Sequence, residues 1–351
     1  MARYIFGAAF VIVAILLVVF EAQALFVLFA GVLLAIFLKT VADALVRFSR
    51  MPYKLAVLEI VLVLVGATVG LVISAGPTLA QQATNLLQAL PVALHTAESY
   101  VTRYLGDGAF GTSHPPSELL PAGREILAGA RGAVTGSVEV VAALVVIAFM
   151  GFYGALSPKS YARIALAVLP SEHRPRANQV LSECVRRLGR WLLGRAVAMA
   201  FVGVTTCIGL WALHLPLALV LGVLAGALTF IEFFGPIVSA FPPLLIALAA
   251  SPPKALWVLV LFVGIHLVDG YVLTPFIARR AVNFPPAYTL SLQALFGALF
   301  GVVGLSFATP TGIVAVTLVE LLWVRDVLGQ NVSSTARSSV EPSTTSHRVQ
   351  Q

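Results

Sequence analysis

Asp269 and His266 stand three residues apart inside the apolar stretch from Ala255 to Ile277. On a helix that spacing puts the imidazole and the carboxylate on one face. An ionised carboxylate near a bilayer midplane costs roughly 2.5 to 3.5 kcal/mol on insertion scales, so it needs a partner, a water-filled cavity or a proton. Histidine titrates in the physiological range and burial pushes a carboxylate toward it. The pair therefore reads in two ways: as a proton relay or cation site facing a path across the membrane, or as a structural pair bonding between helices. Glu232, just ahead of Gly235 and Pro236, is the third candidate. Backbone carbonyls freed at such a break can join a carboxylate in holding a cation or a polar solute; the other reading is an interfacial residue in a turn. Glu59, Glu139 and Glu320 fall near span ends and are expected to reach the interface.

Other chemistries lack their residues. The sequence holds no GxxxxGK[ST] phosphate loop, no HExxH and no GxSxG, which argues against an ATP-driven pump and an intramembrane hydrolase. Cys184 and Cys207 fall in different environments, without metal-site spacing and without prospect of a disulfide. The expectation is a chain without enzymatic activity, cofactor or bound metal.

The elements that must position these residues are membrane helices. Of 351 residues 59% are hydrophobic and 11% charged, against about 25% charged in soluble domains, so the class is an all-α, polytopic integral membrane protein. Runs such as Leu55 to Ala75, Val138 to Leu156 and Leu192 to Leu213 are near or above the ~18 residues that suggest a span. The net charge of +7 is distributed unevenly. Residues 39–54 and 157–195 are strongly basic, whereas 77–133 are not. Lys and Arg collect in cytoplasmic loops, so the first two segments are expected inside and the third outside, with both termini cytoplasmic. The basic balance reports topology and requires no nucleic-acid partner; the partners expected are the lipid bilayer and a small-molecule or cation substrate.

Five regions follow. Residues 1–54 form a transmembrane hairpin turning at Glu21 and a basic loop; the Ala22-Gln23-Ala24 pattern also resembles a signal-peptide cleavage site, but the apolar run Leu25 to Leu38 follows at once. Residues 55–157 form a transmembrane pair around an external segment, 77–133. There the third span ends at Gly76-Pro77, an amphipathic helix runs from Thr78 to Leu105 with a kink at Pro91, and a Gly/Pro/Ser-rich loop covers 106–123. The helix reads as a lid, an oligomer contact or a surface-lying element. Residues 158–190 are a basic helical segment broken near Pro170 and Pro175 and laid along the membrane surface. Residues 191–328 are a core with broken or re-entrant helices, in which the pair 217–231 and 237–250 flanks Gly235-Pro236. The pair 287–307 and 312–324 flanks a second break at Thr309 and Pro310. Residues 329–351 are a Ser/Thr-rich disordered tail. Trp191 and Trp211, twenty residues apart, mark boundaries about 30 Å apart. Pairs of glycines at GxxxG spacing (66/70, 222/226, 297/301) permit close helix packing, within one subunit or in a homo-oligomer.

Ile231-Glu232-Phe233-Phe234-Gly235-Pro236, Phe241-Pro242 and Asp269-Gly270-Tyr271-Val272-Leu273-Thr274-Pro275 closely resemble the autoinducer-2 exporter (AI-2E) family of bacterial membrane transporters. The resemblance continues through Val282 to Pro286, Phe296 to Gly304 and Ala308-Thr309-Pro310, and covers roughly residues 5–325. It implies about eight spans in the bacterial inner membrane. It also implies export of autoinducer-2 or a related small polar metabolite, or sodium (lithium)/proton antiport as in other members; a non-transporting oligomeric scaffold is the reading outside that class. The substrate or ion pathway is expected at Asp269, His266, Glu232, Gly235, Pro236, Thr274 and Pro275. This chain has Gly270 where many relatives have Asn, and Phe233 where Tyr is frequent.

Overall fold

The computed structural model describes residues 22–105, 138–273 and 285–326. The opening apolar run, the loop at 106–123, Thr274, Pro275 and the tail after Gly329 lie outside the described residues. Those described are almost entirely helical, with no strand among them. The helices are α1 (Ala22–Ser49), α2 (Tyr53–Leu105), α3 (Val138–Leu156), α4 (Pro158–Ala167), α5 (Arg174–Ala212), α6 (Ala218–Leu228), α7 (Phe234–Ala250), α8 (Pro252–Val268) and α9 (Pro286–Leu318). Short π-helical segments follow α8 (Asp269–Leu273) and α9 (Val319–Arg325). Among the described residues six helical stretches are long and apolar enough to cross a membrane, one of them running through α9, which reverses at Gly301, and α6 and α7 are shorter apolar helices.

Lipid tails are as apolar as leucine, so these helices associate through close packing of small residues more than through the hydrophobic effect. α1 and α3 run parallel, with Gly31 against Met150, Gly151 against Leu34 and Gly154 against Ala35. α1 crosses α5 in the opposite sense, with Thr40 on Gly189 and Leu33 and Ile36 packed with Leu188 and Leu192. The outward faces carry Leu62, Val63, Ile73, Leu144 and Phe149, exposed as lipid-facing residues are.

Three expectations are corrected. The chain does not leave its helix at Gly76-Pro77: α2 is one helix of 53 residues, about 80 Å at 1.5 Å per residue. Its distal half docks on protein, with Leu86 buried in the largest apolar cluster and Leu90 packed against it. The apolar stripe that suggested a surface-lying helix is thus a packing face. Second, the basic segment is interrupted near Pro170, but Pro175 opens α5 and does not break it. Proline is tolerated in the first helical turn, where its missing N–H has no partner to lose. Residues 174–190 are therefore the charged half of one 39-residue helix that continues into the apolar half after Trp191.

The third correction concerns the second broken pair. Thr309 and Pro310 lie inside α9, both buried, and the reversal occurs at Gly301, with φ 61° and ψ −146°. That backbone region is open essentially to glycine alone. Across the turn Leu305 meets Gly297, and Leu292 and Tyr288 meet Gly312, so α9 is a helical hairpin of two antiparallel arms.

α6 and α7 form the first hairpin. Along α5, α6 runs antiparallel: Gly222 faces Cys207, and Gly226 faces Gly203 and the Met199 carbonyl, 2.8 Å from where a Cβ would stand. Both open ends of this hairpin meet α2. The Val220 N–H donates to Gln82 Oε1 at 3.1 Å, and a cleft of about 410 Å³ is lined by Asn85, Gln88 and Val92 on one side and Ile246 and Ala249 on the other. The closed end points along α5 toward Arg195. In the second hairpin the closed end points the other way, since Ile313, twelve residues from Gly301, packs with Leu188 and Leu192. The two hairpins enter the bundle from opposite ends.

Candidate functional site

The turn closing the first hairpin is built under constraint. Gly235 sits so close to Leu228 that a Cβ would stand 2.0 Å from its carbonyl oxygen. Phe233 takes φ 58° and ψ −55°, and the Phe234 N–H donates to the Glu232 carbonyl at 2.6 Å, a γ-turn of the rare positive-φ kind. A bulky residue held there costs on the order of 1 to 3 kcal/mol. The consequence is positional: the turn aims Glu232 at α5. Its Oε1 accepts from Trp191 Nε1 at 3.0 Å and lies 3.9 Å from Arg195 Nη1. Arg195 Nη2 donates to the Thr229 carbonyl at the end of α6. Below Gly235-Pro236, Ser239 Oγ donates to the Pro236 carbonyl at 3.1 Å. Pro242 and Pro243 lie inside α7, where their missing N–H groups leave the carbonyls of Val238 and Ser239 without helical donors.

α8 approaches the same region from the far end, with Leu261 on Gly209 and Phe262 and Ile265 in the apolar cluster shared with Val202 and Leu210. It ends at Asp269, where the helix widens into a π turn; such bulges recur at functional sites. The Asp269 carboxylate lies within coulombic reach of both Arg195 and His266. Of the predicted trio, Glu232 faces the Arg195 guanidinium at 3.9 Å, and Asp269 is near enough to influence both Arg195 and His266. Neither His266 ring nitrogen, nor Arg195 Nε, nor Thr206 Oγ1 has a hydrogen-bond partner among the described residues, although all are buried. In an apolar interior such groups carry a desolvation cost that bound solute or water would relieve.

Sequence reasoning did not single out Arg195. It was counted with the basic residues of 157–195, yet the hydrophobic run begins three residues earlier, at Leu192. A charge one turn inside an apolar helix is itself a functional signal. Trp191 likewise acts as a donor to Glu232, with its ring edge-on to Phe230 at 5.6 Å, whereas Trp211 is exposed at the other end of the apolar half. The group set offers one fixed cation, two carboxylates, an imidazole and an indole N–H. Among the described residues no cluster of His, Cys, Asp and Glu has the makings of a metal centre.

A second polar network holds the end of α9 to the charged half of α5. Arg187 bonds Glu183 and Glu320, each at 2.7 Å, and Arg176 bonds Asp326 at 2.7 Å and the Leu321 carbonyl at 2.8 Å. Burial pushes the Glu183 carboxyl up, but the bonds from Arg187 and Arg186 outweigh it and hold the group below its ordinary value. Glu320, expected at the interface, is in this network.

Residues 8–323 match the family model described as AI-2E family transporter. Among curated proteins, "Putative transport protein YrrI" of Bacillus subtilis is 26% identical over 78% of this chain and 80% of its own length. "Putative transport protein YueF" of the same organism is 24% identical over 81% and 79%, and "Putative permease PerM" of Escherichia coli is 24% identical over 55% of each chain.

Proposed function

The chain belongs to the AI-2E family of transporters, and from that premise we propose that it carries a small polar metabolite of the autoinducer-2 type past the Arg195–Glu232–Asp269 cluster. The protein is a multi-pass membrane transporter; the solute, its export and the orientation are our reading. The observation that carries it is the Arg195 guanidinium, which faces Glu232 on a strained turn between two short helices and feels the charge of Asp269. Ionisable groups inside an apolar membrane bundle are costly and mark solute and ion pathways. Arg195 neutralises part of the acidic charge. That favours a neutral, hydrogen-bonding solute over a bare cation, because a sodium ion would have to sit beside a fixed positive charge.

Sodium (lithium)/proton antiport is the second reading. One observation favours it: two carboxylates against one guanidinium leave a negative charge to be met by a proton or cation. The charged half of α5 and the basic segment 39–54, which is the end of α1 and the start of α2 and not the expected loop, are assigned to the cytoplasmic side of the bacterial inner membrane, with both termini inside. Reconstitution distinguishes the readings. Proteoliposomes holding the protein are expected to accumulate labelled autoinducer-2 above protein-free vesicles, with no change in internal pH when sodium is added outside. A sodium-driven pH change without solute flux would establish the antiport reading in its place.

A further inference from the structure

Gln293 is completely buried, and neither its amide nitrogen nor its amide oxygen meets a hydrogen-bond partner among the described residues. A carboxamide in an apolar interior is expensive when both ends are unmet. The residue lies on the first arm of the second hairpin, one turn after the buried Thr289. Its depth follows from its neighbours. Leu292 packs on Gly312, and Ile313 packs with Leu188 and Leu192 of α5, one turn from Arg195. Phe230, at the tip of the first hairpin, packs against the same cluster. The second hairpin thereby brings Gln293 to the level at which the first hairpin presents Glu232, from the opposite end of the bundle.

We propose that Gln293 lines the hydrated solute path at this depth and acts as a specificity-determining contact for a neutral hydroxylated solute, its NH₂ donating to one solute oxygen and its carbonyl accepting from a solute hydroxyl. This rests on the transporter reading above. A carboxamide supplies one donor and one acceptor side by side without charge, which suits a hydroxylated molecule. A bare cation would use only the carbonyl.

The test has a solute-free arm and a solute arm. In a protein carrying Cys184→Ala and Cys207→Ser, Gln293→Cys is compared with Leu221→Cys, which is equally buried but lies in the apolar cluster. A small charged methanethiosulfonate reagent is expected to modify the cysteine at 293 at least about tenfold faster than that at 221. Equal rates would overturn the proposal, because water would then not reach Gln293. In the solute arm, Gln293→Leu is expected to raise the half-saturation concentration for labelled autoinducer-2 about tenfold or more, the scale of one lost hydrogen-bonding group. Maximal rate and melting temperature should be unchanged, and Gln293→Asn should recover part of the loss. A purely structural glutamine would show the opposite split, with stability changed and half-saturation at the wild-type value, and that outcome also overturns the proposal. If wild-type proteoliposomes move no labelled solute, the functional reading fails and the cysteine comparison alone decides the place of Gln293.

Discussion

Arg195 separates the two uses a buried acidic residue can have. It bonds the end of α6, faces Glu232 across 3.9 Å and feels the charge of Asp269. Removing one member of a mostly buried ion pair leaves the other uncompensated, at a cost of about 3 to 5 kcal/mol in fully buried cases. Arg195→Gln is accordingly expected to lower the melting temperature of the nanodisc-reconstituted protein, and adding Glu232→Gln to recover most of the loss. Additive losses would mean the two side chains do not act as a pair. His266 makes a separate prediction. If its imidazole exchanges protons along the path, His266→Ala removes the pH dependence of flux; an unchanged pH profile assigns the ring to packing against Phe262. Asp269, His266 and Glu232 were legible because ionisable groups within apolar runs stand out. Arg195 was not, because it closes a series of arginines along a continuous helix and its level in the membrane is set by tertiary packing. Phe233 carried no signal at all, since nothing in its type announces a positive φ.

The helices were legible to the extent that apolar length and proline placement decide them. The first hairpin was readable from Gly235-Pro236, which closes it. The second was misplaced because Pro310 is the stronger breaker by type, yet the structure keeps it inside an arm of α9 and turns at Gly301. In protein-buried membrane helices, neighbouring groups accommodate the carbonyl that proline leaves free, whereas a φ of 61° with ψ −146° admits little but glycine. Gly301→Ala is therefore expected to destabilise the protein by about 1 to 3 kcal/mol, and Pro310→Ala by much less; thermal unfolding in one detergent compares them directly, and the reverse order would restore the break to Thr309-Pro310. The end of α9 is held differently, by charge. The Glu183 carboxyl titrates below its ordinary value when folded. Its contribution is thus fully present above the unfolded value, about 4.3, and is lost as pH falls through the lower folded value. Protection factors for hydrogen exchange at residues 319–326 should be high at neutral pH and fall in acid. Glu320→Gln should lower them at neutral pH, and protection indifferent to both would show that the network does not hold this segment.

At the scale of the whole molecule, two helical hairpins enter one bundle from opposite ends. The long α2 holds the open end of the first through Gln82 and the apolar cluster around Leu86. The general membrane architecture was present in composition and charge distribution, but the docking of α2 was not, because an amphipathic stripe looks the same whether it faces lipid headgroups or protein. The account's central claim is that a polar solute crosses this bundle at the level where Arg195, Glu232 and Asp269 meet. Replacing Asp269 by Asn keeps its size and hydrogen-bonding capacity and removes only its charge. In proteoliposomes matched for protein content and melting temperature, the account requires Asp269→Asn to lose at least about a hundredfold of labelled autoinducer-2 flux, the equivalent of roughly 2.7 kcal/mol on the transition state. Wild-type flux from a well-folded Asp269→Asn protein would contradict it.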